Sequence, residues 1–171
     1  MACGLLAPRR GLEGTWALVG VEVHGEQTSP EAFSTPMPGC PRSRTTLTFE
    51  GERLTVSHEA LCEGAGGWWT CGAHLQMAVS WNDGVVTIPT GGQGWGRLMP
   101  LEVRPSELDE LAPPDTKCTV EVGAADFIQG ERGDELLLRD RKTDAVLVLT
   151  PAPTRPDLDA WRRSLMEEGT P

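Results

Sequence analysis

Trp69-Thr70-Cys71-Gly72-Ala73-His74-Leu75-Gln76-Met77-Ala78-Val79-Ser80-Trp81 carries an apolar side chain at every odd number. The positions between are mostly small or polar. A period of two is the signature of a β-strand with one buried face and one wet face. The run assigns Trp69, Cys71, Ala73, Leu75, Met77, Val79 and Trp81 to the inside, and His74 and Gln76 to the outside. A slip of one residue would expose the whole apolar set, so the facing is strongly fixed.

Turn chemistry brackets this strand. Downstream, Asn82-Asp83-Gly84 is a good hairpin turn into Val85–Ile88. Upstream, Gly64-Ala65-Gly66-Gly67 joins it to Arg53–Cys62, which meets Thr45–Phe49 through Glu50-Gly51-Glu52. Further out, a first strand spans about Gly14 to Val23, and a loop rich in Pro, Ser and Gly spans roughly Gly25 to Arg44. Gly91–Gly96 reads as a flexible loop and Arg97–Arg104 as a strand. Ser106–Leu111 reads as one helical turn and Cys118–Val122 as another strand. Glu135–Arg139 and Ala145–Thr150 form a last hairpin. Pro151–Pro156 is a stiff linker, and Asp157 can cap a final helix with Leu158, Trp161 and Leu165 on one face.

These segments predict an all-β protein: an antiparallel up-and-down β-barrel of about eight strands with a C-terminal α-helix. A closed barrel leaves no exposed strand edges, and an open sandwich is the alternative. The organisation expected is a tether over 1–12, the barrel over 13–150, and the linker and helix over 151–171.

The chain has 171 residues, 25 acids against 15 bases and a net charge of −10. That is long enough for one domain with a real core. Phosphate contacts need a basic surface, so the charge argues against nucleic acid as a partner. Twenty glycines and 14 prolines suit many turns and few long helices.

Five cysteines are present: Cys3, Cys40, Cys62, Cys71 and Cys118. An even set plus one suggests two disulfides and one cysteine with a separate role. If Gly66-Gly67 is the two-residue turn, paired residue numbers sum to 133, and Cys62 faces Cys71. This favours a Cys62–Cys71 bridge and leaves Cys40 with Cys118, although four cysteines allow three connectivities. Met1-Ala2-Cys3-Gly4 resembles the cleavage site of a bacterial lipoprotein, where the cysteine is lipidated. Export to the periplasm or an outer-membrane anchor through Cys3 is therefore expected, with a cytoplasmic protein carrying five reduced thiols as the alternative.

Gly14-Thr15-Trp16 resembles the opening of the lipocalin-like (calycin) proteins, whose first strand begins G-x-W. Thr46-Leu47-Thr48-Phe49-Glu50-Gly51 looks like that family's second strand and turn, and Asp134-Glu135-Leu136-Leu137-Leu138 like a late strand. The resemblance, to a bacterial type, implies an eight-stranded barrel closed at one end by the tryptophan, with a C-terminal helix. It also implies a small hydrophobic or amphipathic ligand. The bacterial META domain, which begins G-T-W and has an L-T-F strand, is a second resemblance.

By strand parity Trp69, Leu75, Met77, Val79 and Trp81 point inward. They are core if the barrel is filled and ligand-binding residues if it is hollow. His58 shares the inner face with Leu54 and Val56, as a core group or a polar handle for a ligand. The spacing His58-x3-Cys62 with Cys71-x2-His74 hints at zinc. Positions 71 and 74 point to opposite faces of a strand, however, so no metal is expected. Ser57-His58-Glu59 fails as a catalytic set for the same reason, and no catalytic motif is present. The reading is a binding protein of the cell envelope, not an enzyme, with no cofactor. The alternative is a filled-barrel structural or protein-interaction module.

Overall fold

The computed structural model describes residues 11–28, 42–64, 67–100 and 117–152, together with Arg163 and Glu167. Its described residues form twelve strands: β1 Gly14–Val23, β2 Glu26–Thr28, β3 Arg42–Glu50, β4 Arg53–Gly64, β5 Gly67–Ala78, β6 Ser80–Asn82, β7 Val85–Ile88, β8 Gly92–Pro100, β9 Lys117–Val122, β10 Ala125–Arg132, β11 Glu135–Asp140 and β12 Val146–Pro151. They build a large antiparallel half-barrel sheet in the order β6-β7-β10-β11-β12-β1-β3-β4-β5-β8-β9, with β2 paired to β1.

The all-β expectation stands, but the strands number more than eight or nine because long strands break. Residues 69–81 are split at Val79 into β5 and β6, which pair with different neighbours. Two strands escaped the sequence reading. β2 follows a tight turn at His24 and Gly25, both left-handed, inside the segment read as loop. β10 shows weak alternation, since Phe127 is its only fully buried side chain. Gly91–Gly96, read as a flexible loop, is mostly strand β8. Asp83 and Gly84 take the left-handed conformation that a tight hairpin needs.

The main core cluster is drawn from most of the strands, including Trp16, Leu18, Leu47, Phe49, Leu54, Leu138, Leu147 and Leu149. Leu12 belongs to it, and its carbonyl accepts a hydrogen bond from Trp16 Nε1 at 3.0 Å. This bond ties Leu12 to the first strand. The other end of the domain is closed by β12 lying along β1, with Ala152 N donating to Thr15 O. At the surface Arg132 on β10 binds Glu22 on β1 and Glu135 on β11, each at 2.7 Å. These bonds, Glu22's first, push the guanidinium pKa up. The C-terminal helix expected over 151–171 lies outside the described residues except for the exposed Arg163 and Glu167.

Candidate functional site

The candidate site is the inner face of β3, β4 and β5. Register stacks this face in rows. Phe49, Leu54 and Met77 form one row, and Leu47, Val56 and Leu75 the next. Above them lie Thr45, His58 and Ala73, then Ser43, Ala60 and Cys71. The first two rows are wide and aliphatic or aromatic. The third places an imidazole between a threonine and an alanine.

His58 is 3% exposed. Its Nδ1 lies 2.8 Å from Thr45 Oγ1, and Thr45 is itself buried. Burial lowers the His58 pKa below its ordinary value, so the ring is neutral at neutral pH. A neutral imidazole donates through one nitrogen and accepts through the other. Thr45 takes Nδ1, and His58 makes no second hydrogen bond among the described residues. The imidazole, with Thr45 and Ser43 on the same face, forms a polar patch beside the apolar rows. The flanking Ala60 and Ala73 are small, which leaves the ring uncrowded by its strand neighbours.

Burial changes along β5. Trp69 is buried in a separate small cluster with Ala60 and Cys62. Cys71 and Ala73 are fully shielded, whereas Leu75 and Met77 are only half-buried although Leu54 and Val56 beside them are closed off. Val79 is buried again. Trp81 stands opposite the shielded Val86, hence on the same face, yet remains 47% exposed. Of the inward residues expected to be buried, Leu75 and Met77 fall short, and Trp81 lies at the open edge.

β8 passes β5 closely. A Cβ on Gly94 would lie 2.1 Å from the carbonyl oxygen of His74, and one on Gly92 would lie 3.0 Å from Leu75 Cδ1. Gly92 and Gly94 are therefore close-approach positions, and the segment is strand because Gly92–Arg97 pairs with Val122–Lys117 on β9.

The outer face carries separate polar pairs. His74 Nδ1 lies 3.0 Å from Ser57 Oγ, with His74 exposed and Ser57 half-buried. Arg44 Nη2 lies 3.6 Å from Glu59 Oε2. Ser57 and Glu59 thus sit opposite to His58, as strand parity requires, and the partner of Ser57 is a histidine from the next strand. Cross-strand register was the signal that could have found the Ser57–His74 and Thr45–His58 pairs. Cys71 and His74 fall on opposite faces, one buried and one exposed.

The β4–β5 pairing is shifted by two residues from the expected register. Gly64 pairs with Gly67, and paired numbers sum to 131. Cys62 faces Trp69 and Cys71 faces Ala60, which removes the geometric ground for a Cys62–Cys71 bridge. Cys3 and Cys40 lie outside the described residues, and Cys118 is described by its backbone position in β9.

Two surface clefts, of about 370 Å³ beside Asp83 and Ile128 and about 340 Å³ beside Pro89 and Arg141, are lined by none of the residues in the His58 rows. No family model, curated protein or solved structure matches the chain.

Proposed function

We propose that the strands close an up-and-down barrel of eight long strands and that this barrel binds a small hydrophobic or amphipathic molecule between the His58 row and the edge marked by Trp81. Three breaks reconcile the counts. β5 and β6 are one run interrupted at Val79, β7 and β8 one run interrupted at residues 89–91, and β9 and β10 one run interrupted at 123–124. With short β2 set aside, eight runs remain. The β5–β6 run pairs with β4 on one side and with β7 and β8 on the other, which favours a closed ring.

One observation carries the binding reading: inward-facing Leu75 and Met77 are incompletely covered while their row neighbours are shut off from solvent. An apolar molecule would cover them, and the buried His58 would meet its polar end. Membership of the lipocalin-like proteins, with a C-terminal helix on the barrel, fits this reading and is part of the proposal. So is export with lipidation at Cys3. Among the described residues no helix is long and apolar enough to cross a membrane.

The test is titration with a fluorescent long-chain fatty acid. Saturable one-to-one uptake is expected in the full chain. Met77→Lys should weaken it roughly tenfold or more, since a charge in the apolar lining costs over about 1.4 kcal/mol. Circular dichroism checks that the variant stays folded. Equal affinity in the two proteins, or uptake that does not saturate, would overturn the reading in favour of a filled structural or interaction module.

A further inference from the structure

We propose, resting on the binding role above, that the inner wall selects an uncharged ligand: a long-chain alcohol, or another apolar molecule ending in a hydroxyl, in preference to a carboxylate. The four inner rows run from Phe49, Leu54 and Met77 to Ser43, Ala60 and Cys71, and they contain no Asp, Glu, Lys or Arg. Their polar atoms are two hydroxyls, on Ser43 and Thr45, and the imidazole of His58. The buried residues of the main core cluster are otherwise all apolar.

The basic side chains turn the other way. Arg44 lies beside Glu59, on the face opposite to Thr45 and His58. Arg53 precedes the shielded Leu54 and Arg139 follows the shielded Leu138, so strand parity sets both outside. Arg132 is held at the surface by Glu22 and Glu135. Arg141 and Lys142 are exposed in the turn after β11. Among the described side chains, therefore, no guanidinium or ammonium faces this wall.

A carboxylate entering such a wall loses its water and gains no cation in return, which is costly for any buried charge. His58 is a poor substitute for that cation. Its burial already lowers its pKa, so protonating the ring would place a second charge where charge is disfavoured. At longer range the net charge of −10 also repels an anion. An alcohol avoids all three costs. Its hydroxyl both gives and accepts a hydrogen bond, so it suits the imidazole whichever ring nitrogen carries the proton. A fatty acid still enters when it carries its own proton, and its uptake is saturable but weaker.

The test uses two probes with the same chain and the same fluorophore, one ending in a primary alcohol and one in a carboxylic acid. They are titrated into the full chain at about pH 8, where the free acid is ionised. The alcohol should bind at least about tenfold tighter. The methyl ester of the acid probe, which keeps the carbonyl and loses the charge, should recover most of the difference. His58→Leu, checked for folding by circular dichroism, should weaken the alcohol several-fold and leave a methyl-terminated probe unchanged. If the acid saturates the protein as tightly as the alcohol, the proposal falls while the binding role stands. An ester no better than the acid, or an alcohol indifferent to a folded His58→Leu variant, overturns it as well. If no probe saturates, the binding role itself is lost, and the selectivity with it.

Discussion

Two walls of this protein carry apolar side chains at alternate inward positions and differ in how far these are covered. In the wall of β11, β12 and β1, Leu136 and Leu138 pair with Leu149 and Leu147, and Leu18 pairs with Leu149. All five are almost completely shielded. In the wall of β5 and β6 the alternation is longer, yet cover drops at Leu75 and Met77, returns at Val79 and is lost at Trp81. Alternation decides which way a side chain faces. Cover depends on what stands across from it. The β5 wall meets β8, whose positions 92, 94 and 96 are glycine, with Gly92 beside Leu75.

The difference should appear first in large-to-small substitutions. Leu138→Ala is expected to destabilise by about 2–5 kcal/mol, the usual range for a fully packed leucine. Leu75→Ala removes the same atoms from a half-covered site and should cost about 1–2 kcal/mol. Urea denaturation of both variants measures the gap. Equal losses would mean that the β5 wall is as tightly filled as the other.

Gly94→Ala is the converse experiment, adding one carbon where backbone already sits. A Cβ 2.1 Å from a carbonyl oxygen cannot be accommodated without moving β8 away from β5. A loss of roughly 1–3 kcal/mol is expected, as for overpacking in a core. Gly130→Ala is the control, because its Cβ would meet only Leu137 Cβ at 3.8 Å, an ordinary contact. If the two glycine variants cost the same, close approach is not what keeps β8 on β5.

His58 sharpens the comparison, since it is the polar member of the inner face beside β5. Thr45→Val removes its one hydrogen bond and should cost about 1 kcal/mol. The pH dependence has a definite sign. Burial lowers the folded-state pKa below the ordinary 6.5. On acidification the unfolded chain therefore takes up the proton first. Stability falls as pH drops from about 6.5 to the folded pKa and then levels off for this group. Denaturation midpoints at several pH values should show this limb in the wild type and a flatter one in His58→Gln. Parallel profiles would mean that His58 titrates normally and faces water.

The parts of the fold legible in the sequence were those set by local period and turn chemistry. Gly14–Val23 and Val85–Ile88 fall where read, and so does the Asp83-Gly84 turn. The β4–β5 register was missed by two residues because Ala65-Gly66 and Gly66-Gly67 are both plausible turns, and composition alone does not choose between them. β8 was missed because glycine signals flexibility locally, whereas here its use is a backbone contact with His74 that is visible only in three dimensions. For the candidate site, the facing of His58 was legible. Its partner Thr45 was not, because that pair depends on register between strands.

The smallest expected effect tests the face assignment on which the rest depends. Gln76 sits between Leu75 and Met77 on β5, is exposed, and pairs across the ladder with Thr55 on the outer side. Gln76→Ala removes a solvated amide and no packed surface, so stability should change by about 0.5 kcal/mol or less. Fatty-acid affinity should stay the same, since the side chain points away from the proposed cavity. The two readouts together separate facing from cover. A large stability loss at Gln76 would mean that another segment packs on the outer face of β5. A loss of affinity without a loss of stability would move the ligand to that outer face, beside the Ser57–His74 pair. Only silence in both measurements, set against a measurable cost at Leu75, leaves the inner wall of β5 as the less covered of the two walls and the one that meets a ligand.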